Sequence, residues 1–314
     1  MSCISWDSIE ESTKQNIWTA QRIFSSISIV SITTVFGYVF RRRFICKRKF
    51  TNPAERLVLL NLVPVFIGTI GMLISNDPWG DDPNNVNMPY CQFQTVLIEF
   101  RDMGCVLMAA LFAWNLYTII HTFRRPSATS HFTVNDLLRH LERRERFYIV
   151  IAYFGGVVFA VVSIPLAAPR NQWCWVKNAE IGGPLGNSLY ALLFFFAWMW
   201  IVLVFSIAVL LYVWYDRLQH RRDYKTMKDI RSGSIAAFSW ILIIDVMVWV
   251  CASTNRFWSF AKECDNLQLI ILQAAFSCGR GMLLATAYFL LKVKGQFIEL
   301  EPMPEMVDAP YSTS

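Results

Sequence analysis

Five ionisable side chains, Glu99, Arg101, Asp102, Asp245 and Arg280, sit inside long apolar runs of this chain. A charge at the centre of a bilayer costs at least ~2.5–3.5 kcal/mol on insertion scales, so it faces a protein interior and takes a partner there. Two chemistries follow. Either the charges pair with one another, for example Arg280 with Asp102 or Asp245, and only fix helix packing. Or they form the polar floor of a ligand pocket. The two are compatible, and the residues leave both open. Glu99 and Asp102 share a helix face, whereas Arg101 points well away from Glu99. The candidate ligand contacts are therefore Glu99, Arg101, Asp102, Asp245 and Arg280. No catalytic constellation or metal cluster accompanies them, so neither an enzyme nor a cofactor is expected. Zinc chemistry needs several converging ligands, and His121, His131, His140 and His220 all lie between apolar runs. A retinal protein needs a lysine in the middle of its last span. The first lysine there is Lys292, at the end of the run.

The apolar runs that must position these residues number seven, near 17–40, 57–75, 91–120, 147–168, 187–215, 234–253 and 267–291. Each approaches or exceeds the ~20 residues a helix needs to cross ~30 Å of hydrocarbon. Backbone in lipid must satisfy its own hydrogen bonds, so these runs are helices. The expected fold is an all-α membrane protein, a seven-transmembrane-helix bundle. Composition agrees, since charged residues make up 17% of the chain, below the roughly 25% of a soluble domain. At ~1.5 Å per residue, Glu99 to Asp102 lie about 12–17 Å below one end of span three. Asp245 lies about 12 Å below the same face, and Arg280 about 20 Å. These overlapping depths point to a pocket among spans three, five, six and seven, floored by Asp102, Asp245 and Arg280.

Of the 29 lysines and arginines, 21 fall in the loops 41–56, 121–146 and 216–233 or just after the last span, against six on the opposite side. The positive-inside rule then places the N-terminus outside and the C-terminus in the cytoplasm. The expected organisation is a short outer tail over 1–16, a membrane domain over 17–292 and a disordered cytoplasmic tail over 293–314. No cleavable leader is expected, because 1–16 is polar and acidic, without a basic start and a short apolar run. The basic loops are tethered at a membrane face, so their partner is the lipid bilayer and no nucleic acid is expected. Within the loop 121–146, Leu137, Leu138 and Leu141 cluster on one face among basic residues. That pattern fits an amphipathic helix on the inner leaflet, or a contact surface for a cytoplasmic partner. Asn61 and Asn115 are expected to hydrogen-bond between helices.

There are eight cysteines. Cys91 and Cys174 both fall on the outer side, where disulfides persist. They are either bridged or two unpaired thiols near the headgroups. Cys3 and Cys264 lie on the same side. Cys46 sits in a basic inner loop, and Cys105, Cys251 and Cys278 lie within spans as small packing residues.

Cys174-Trp175-Val176, opposite a cysteine opening span three, resembles the second outer loop of cyclic-AMP-receptor-like and secretin-like G-protein-coupled receptors. Two further stretches are similar to those families. Phe112-Ala113-Trp114-Asn115-Leu116-Tyr117 looks like the Trp…Asn-Leu-Tyr pattern of span three. Arg280-Gly281-Met282-Leu283-Leu284-Ala285-Thr286-Ala287-Tyr288 looks like the Gln-Gly-Phe…Tyr pattern of span seven, with Arg280 where Gln is usual. The acidic-Arg-aromatic triplet and Asn-Pro-x-x-Tyr of rhodopsin-like receptors are absent, as is the large hormone-binding domain of secretin-like ones. The resemblance implies a plasma-membrane receptor, a Cys91–Cys174 disulfide, an unknown extracellular ligand and a heterotrimeric G protein. It implies that the G protein is met at the inner ends, with Arg124, Arg125, Arg217, Arg221 and Arg222 facing it. A seven-span transporter and a non-signalling membrane scaffold are the competing classes.

Overall fold

The structure, a computed structural model, describes residues 10–46, 53–74, 88–124, 134–169, 174–176, 195–219, 230–262 and 266–294. Seven helices in it are long and apolar enough to cross a membrane. The chain is an all-α seven-helix bundle and a multi-pass membrane protein. Span one is the helix Glu11–Phe40, extended by a π-helical turn Arg41–Ile45. Span two is Pro53–Leu73, with Pro64 inside it. Span three, Met88–Arg124, is the central rod. It packs on spans two, four, five and six, and Phe112 stacks on Phe238 of span six at 5.4 Å between ring centroids. Spans five, six and seven are Ala197–Gln219, Ile230–Lys262 and Leu267–Val293. Apolar side chains such as Val30, Val158 and Val204 are exposed around the outside. A hydrocarbon environment accepts that surface, whereas water would not.

Span four departs from expectation. The leucine-bearing segment was expected as a separate surface helix. Instead, the helix Val134–Ile149 runs through a π-helical turn Val150–Phe154 into Gly155–Ser163, forming one continuous rod. Leu141 is fully buried in the bundle core and does not face lipid. Two paired carboxylates explain this: Arg56 of span two bonds Glu145 at 2.7 Å and Glu142 at 3.5 Å, which draws the segment onto the bundle. Gly156 makes the rod's approach to span three possible, since a Cβ there would meet the Phe100 carbonyl at 3.1 Å. Span five was expected from residue 187. Its described helix begins at Ala197, after Phe195 and Phe196, and residues 177–194 lie outside the described part.

Pro165 sits in the 3-10 turn Ile164–Leu166 that ends span four. The chain then forms strand β1, Ala167–Pro169, paired antiparallel with β2, Cys174–Val176, in the register Ala168 opposite Trp175. Cys174 is bridged to Cys91 at the start of span three, with Cα atoms 5.2 Å apart. The unpaired-thiol alternative is thereby excluded. Both cysteines are fully buried. Gln94, one turn along from Cys91 and also buried, completes the anchor. Its amide donates to the Gly71 carbonyl at 2.9 Å and accepts from the Cys174 N–H at 2.8 Å. One side chain therefore joins hairpin, span three and span two. The hairpin marks one end of the bundle.

Candidate functional site

A narrow cavity lies toward the hairpin end, lined by residues of spans two, three, five, six and seven. Its apolar wall is Phe195, Phe196, Val248, Trp249 and Ala252, and its polar groups are Arg101, Asp102, Gln273, Ser277 and Arg280.

Arg101 is buried, and its guanidinium wraps its own neighbour. Nε donates to Asp102 Oδ1 at 2.7 Å, and Nη2 lies 2.6 Å from the same oxygen. Nη1 donates to Met72 Sδ at 2.8 Å and reaches the Ser277 carbonyl at 3.4 Å. The stem needs a gap in span two, and Gly68 supplies it. A Cβ on Gly68 would stand 2.2 Å from Arg101 Cβ. Adjacent residues in a helix point about 100° apart, so a pair such as Arg101 and Asp102 meets only because a long side chain curls back.

Arg280 is buried and pairs through Nη2 with Asp245 Oδ1 of span six. Its guanidinium carbon lies 5.6 Å from the Trp249 ring centroid, a cation–π distance. Of the two expected partners for Arg280, the fold selects Asp245. The pair is incompletely bonded, because Arg280 Nε and Asp245 Oδ2 are buried and have no hydrogen-bond partner among the described residues.

The five candidate contacts are thus divided. Arg101, Asp102 and Arg280 meet at the cavity, joined by Met72 of span two, which the expected four-helix pocket omitted. Asp245, expected in the floor, lies behind Arg280 and is not in the lining. A fully buried carboxylate is tolerable only against a cation, and the guanidinium that neutralises it occupies the cavity side. Glu99 is fully buried and also outside the lining. Among the tryptophans inside spans, Trp249 lines the cavity, while Trp198 and Trp240 are exposed on the bundle's outside. Trp200 donates to Ser253 Oγ at 3.0 Å and stacks on Phe257.

The opposite end holds a cluster that sequence reasoning missed. Glu55, near the start of span two, is 2% exposed. It accepts from Arg42 of span one at 3.1 Å, from the Tyr288 hydroxyl at 2.9 Å and from Lys292 at 3.1 Å, both of span seven. Arg42 and Lys292 had counted only toward the charge asymmetry. The available signal was an acidic residue at the mouth of a span whose flanking loop is otherwise basic. Asn115 accepts from the Tyr148 hydroxyl at 2.5 Å, joining spans three and four as expected. Asn61 is buried and its amide has no partner among the described residues, against expectation.

Of the residues expected to face a cytoplasmic partner, Arg217 is exposed at the end of span five, away from the hairpin. Arg124 is the last residue of the span-three helix. Arg125, Arg221 and Arg222 lie outside the described residues, as do Cys3 and Cys264. Cys46 is an exposed free thiol at the end of span one. Among the described residues no group of three or more His, Cys, Asp or Glu could hold a metal ion. No protein-family model matches the chain, and no curated protein matches it.

Proposed function

We propose that the protein is a G-protein-coupled receptor similar to the cyclic-AMP-receptor-like group, set in the plasma membrane with its hairpin end outside. An extracellular ligand binds in the cavity, and a heterotrimeric G protein meets the opposite end. The observation that carries this is the cavity itself, where Arg101, Asp102 and Arg280 from two spans converge beside Trp249 at the hairpin end. An inert bundle gains nothing from holding three charges against a void, given what each costs in a membrane.

A ligand shifts a conformational equilibrium only by its differential affinity for the two states. Span six offers the route. It carries Trp249 at the cavity and Asp245 behind Arg280, and it runs to Ile230 at the far end. The Glu55 cluster ties spans one, two and seven at that far end and is the contact a rearrangement would have to work against. The basic loops agree with a cytoplasmic assignment of this end.

The test is nucleotide exchange. Purified protein in lipid nanodiscs, challenged with a ligand library, should accelerate exchange on one class of heterotrimer. Arg217→Glu should lower that rate without lowering ligand affinity. Ligand binding with no exchange on any heterotrimer class would refute the proposal.

A further inference from the structure

We infer that the cavity takes a small zwitterion with an aromatic or branched apolar body, the amino-acid class of ligand. This rests on the proposal that the cavity is a ligand site. The first ground is charge balance. The ionisable groups that line the cavity are Arg101, Asp102 and Arg280, and Asp245 is bonded directly to Arg280. Two guanidiniums are thus matched by two carboxylates. A singly charged ligand would add an uncompensated charge to this buried set, at a cost several-fold greater than in water. A zwitterion can exchange partners with both signs and leave the total unchanged.

The second ground is unused bonding capacity of both polarities. Arg280 engages Asp245 through Nη2, while its Nε is buried with no hydrogen-bond partner among the described residues. Arg101 Nη1 has only a thioether sulfur, a weak acceptor, and the Ser277 carbonyl at 3.4 Å. Ser277 is one helical turn before Arg280, so the two guanidiniums flank a single turn of span seven. A ligand carboxylate fits between them, since planar guanidiniums accept carboxylates in fork geometry. Both Arg101 contacts to Asp102 fall on Oδ1, which leaves Oδ2 to accept from a ligand ammonium. The third ground is the wall. Trp249, Phe195 and Phe196 would cover an apolar side chain.

The probe is a panel of the protein amino acids at millimolar concentration, applied to the purified protein in nanodiscs and read by thermal midpoint. At least one aromatic or branched member should raise the midpoint saturably. Its decarboxylated amine and its deaminated acid, which keep the same body, should each bind at least tenfold more weakly. Asp102→Asn, nearly isosteric, should invert the order by favouring the acid at least tenfold over the amino acid. A panel with no binder, or an amine or acid that binds as well as the amino acid, overturns the inference. Nucleotide exchange separates the two levels of claim. Exchange driven from the cavity by a neutral or singly charged ligand would leave the receptor standing and remove the zwitterion. Amino-acid binding without exchange on any heterotrimer would do the reverse.

Discussion

Arg101 shows how much one residue of span three depends on one residue of span two. Its stem passes where Gly68 has no side chain, and Cβ, Cγ and Cδ of Arg101 all lie within 2.7 Å of where a Gly68 Cβ would be. The obstacle is the rigid base of the side chain, which cannot swing aside as a flexible tip could. Gly68→Ala should therefore lower the thermal midpoint by an amount corresponding to ~1–3 kcal/mol, the usual cost of overpacking. Gly37→Ala is the control, since a Cβ there meets nothing within 4 Å. It should leave the midpoint unchanged or raise it, because Ala is the better helix former by up to ~1 kcal/mol. The Asp245–Arg280 pair makes a second demand at the same scale. Asp245→Asn leaves a buried guanidinium uncompensated and should destabilise by ~3–5 kcal/mol. Asp245→Asn combined with Arg280→Gln removes both charges and should recover most of the loss in midpoint and surface expression. A double variant as unstable as the single one would show that the pair is not the relevant partner set.

At the scale of elements, the hairpin and the Glu55 cluster hold opposite ends of the bundle. The Cys91–Cys174 bridge spans a sequence separation of 83 residues. Cross-links of long loops typically stabilise by ~2–4 kcal/mol, whether by restricting the unfolded chain or through enthalpy. Replacing both cysteines by serine should lower the midpoint accordingly. Gln94→Leu should destabilise independently, because it strands the Gly71 carbonyl and the Cys174 N–H, each worth ~1–3 kcal/mol when buried and unpaired. At the other end, Glu55→Gln keeps the shape and removes the charge that faces Arg42 and Lys292. Two cations would then share a buried site without an anion. Faster hydrogen exchange at the joined ends of spans one, two and seven should follow, with exchange at the hairpin end unchanged.

For the whole molecule, direction across the membrane has a direct readout. Cys46 is the exposed free thiol among the described residues, at the end of the bundle away from the hairpin. In a background with Cys3 and Cys264 replaced by serine, a membrane-impermeant maleimide should label Cys46 in permeabilised cells and not in intact ones. Labelling in intact cells would place the basic loops outside and overturn both the orientation and the proposed receptor. Span one, where Arg41, Arg42 and Arg43 follow the apolar stretch, is the element on which that orientation depends most directly.

The number and positions of the spans were legible in the sequence, because membrane insertion reads each segment's apolar length by itself. That Asp102, Asp245 and Arg280 needed partners was legible for the same reason, since the cost of a charge in hydrocarbon is local to its segment. Which partner each took was not. Arg280 met Asp245 and left Asp102 to Arg101 because pairing depends on the rotation of each helix about its axis and on its depth relative to its neighbours. Those quantities come from packing, such as the gap at Gly68 and the closeness of spans three and four at Gly156. Glu55 stayed hidden because Arg42, Tyr288 and Lys292 lie far from it in sequence and reach it only when spans one, two and seven assemble. Leu141 was legible as an apolar position, but only tertiary structure could decide whether lipid or the bundle would cover it. Arg56, by pairing with Glu145, holds the segment so that Leu141 enters the core.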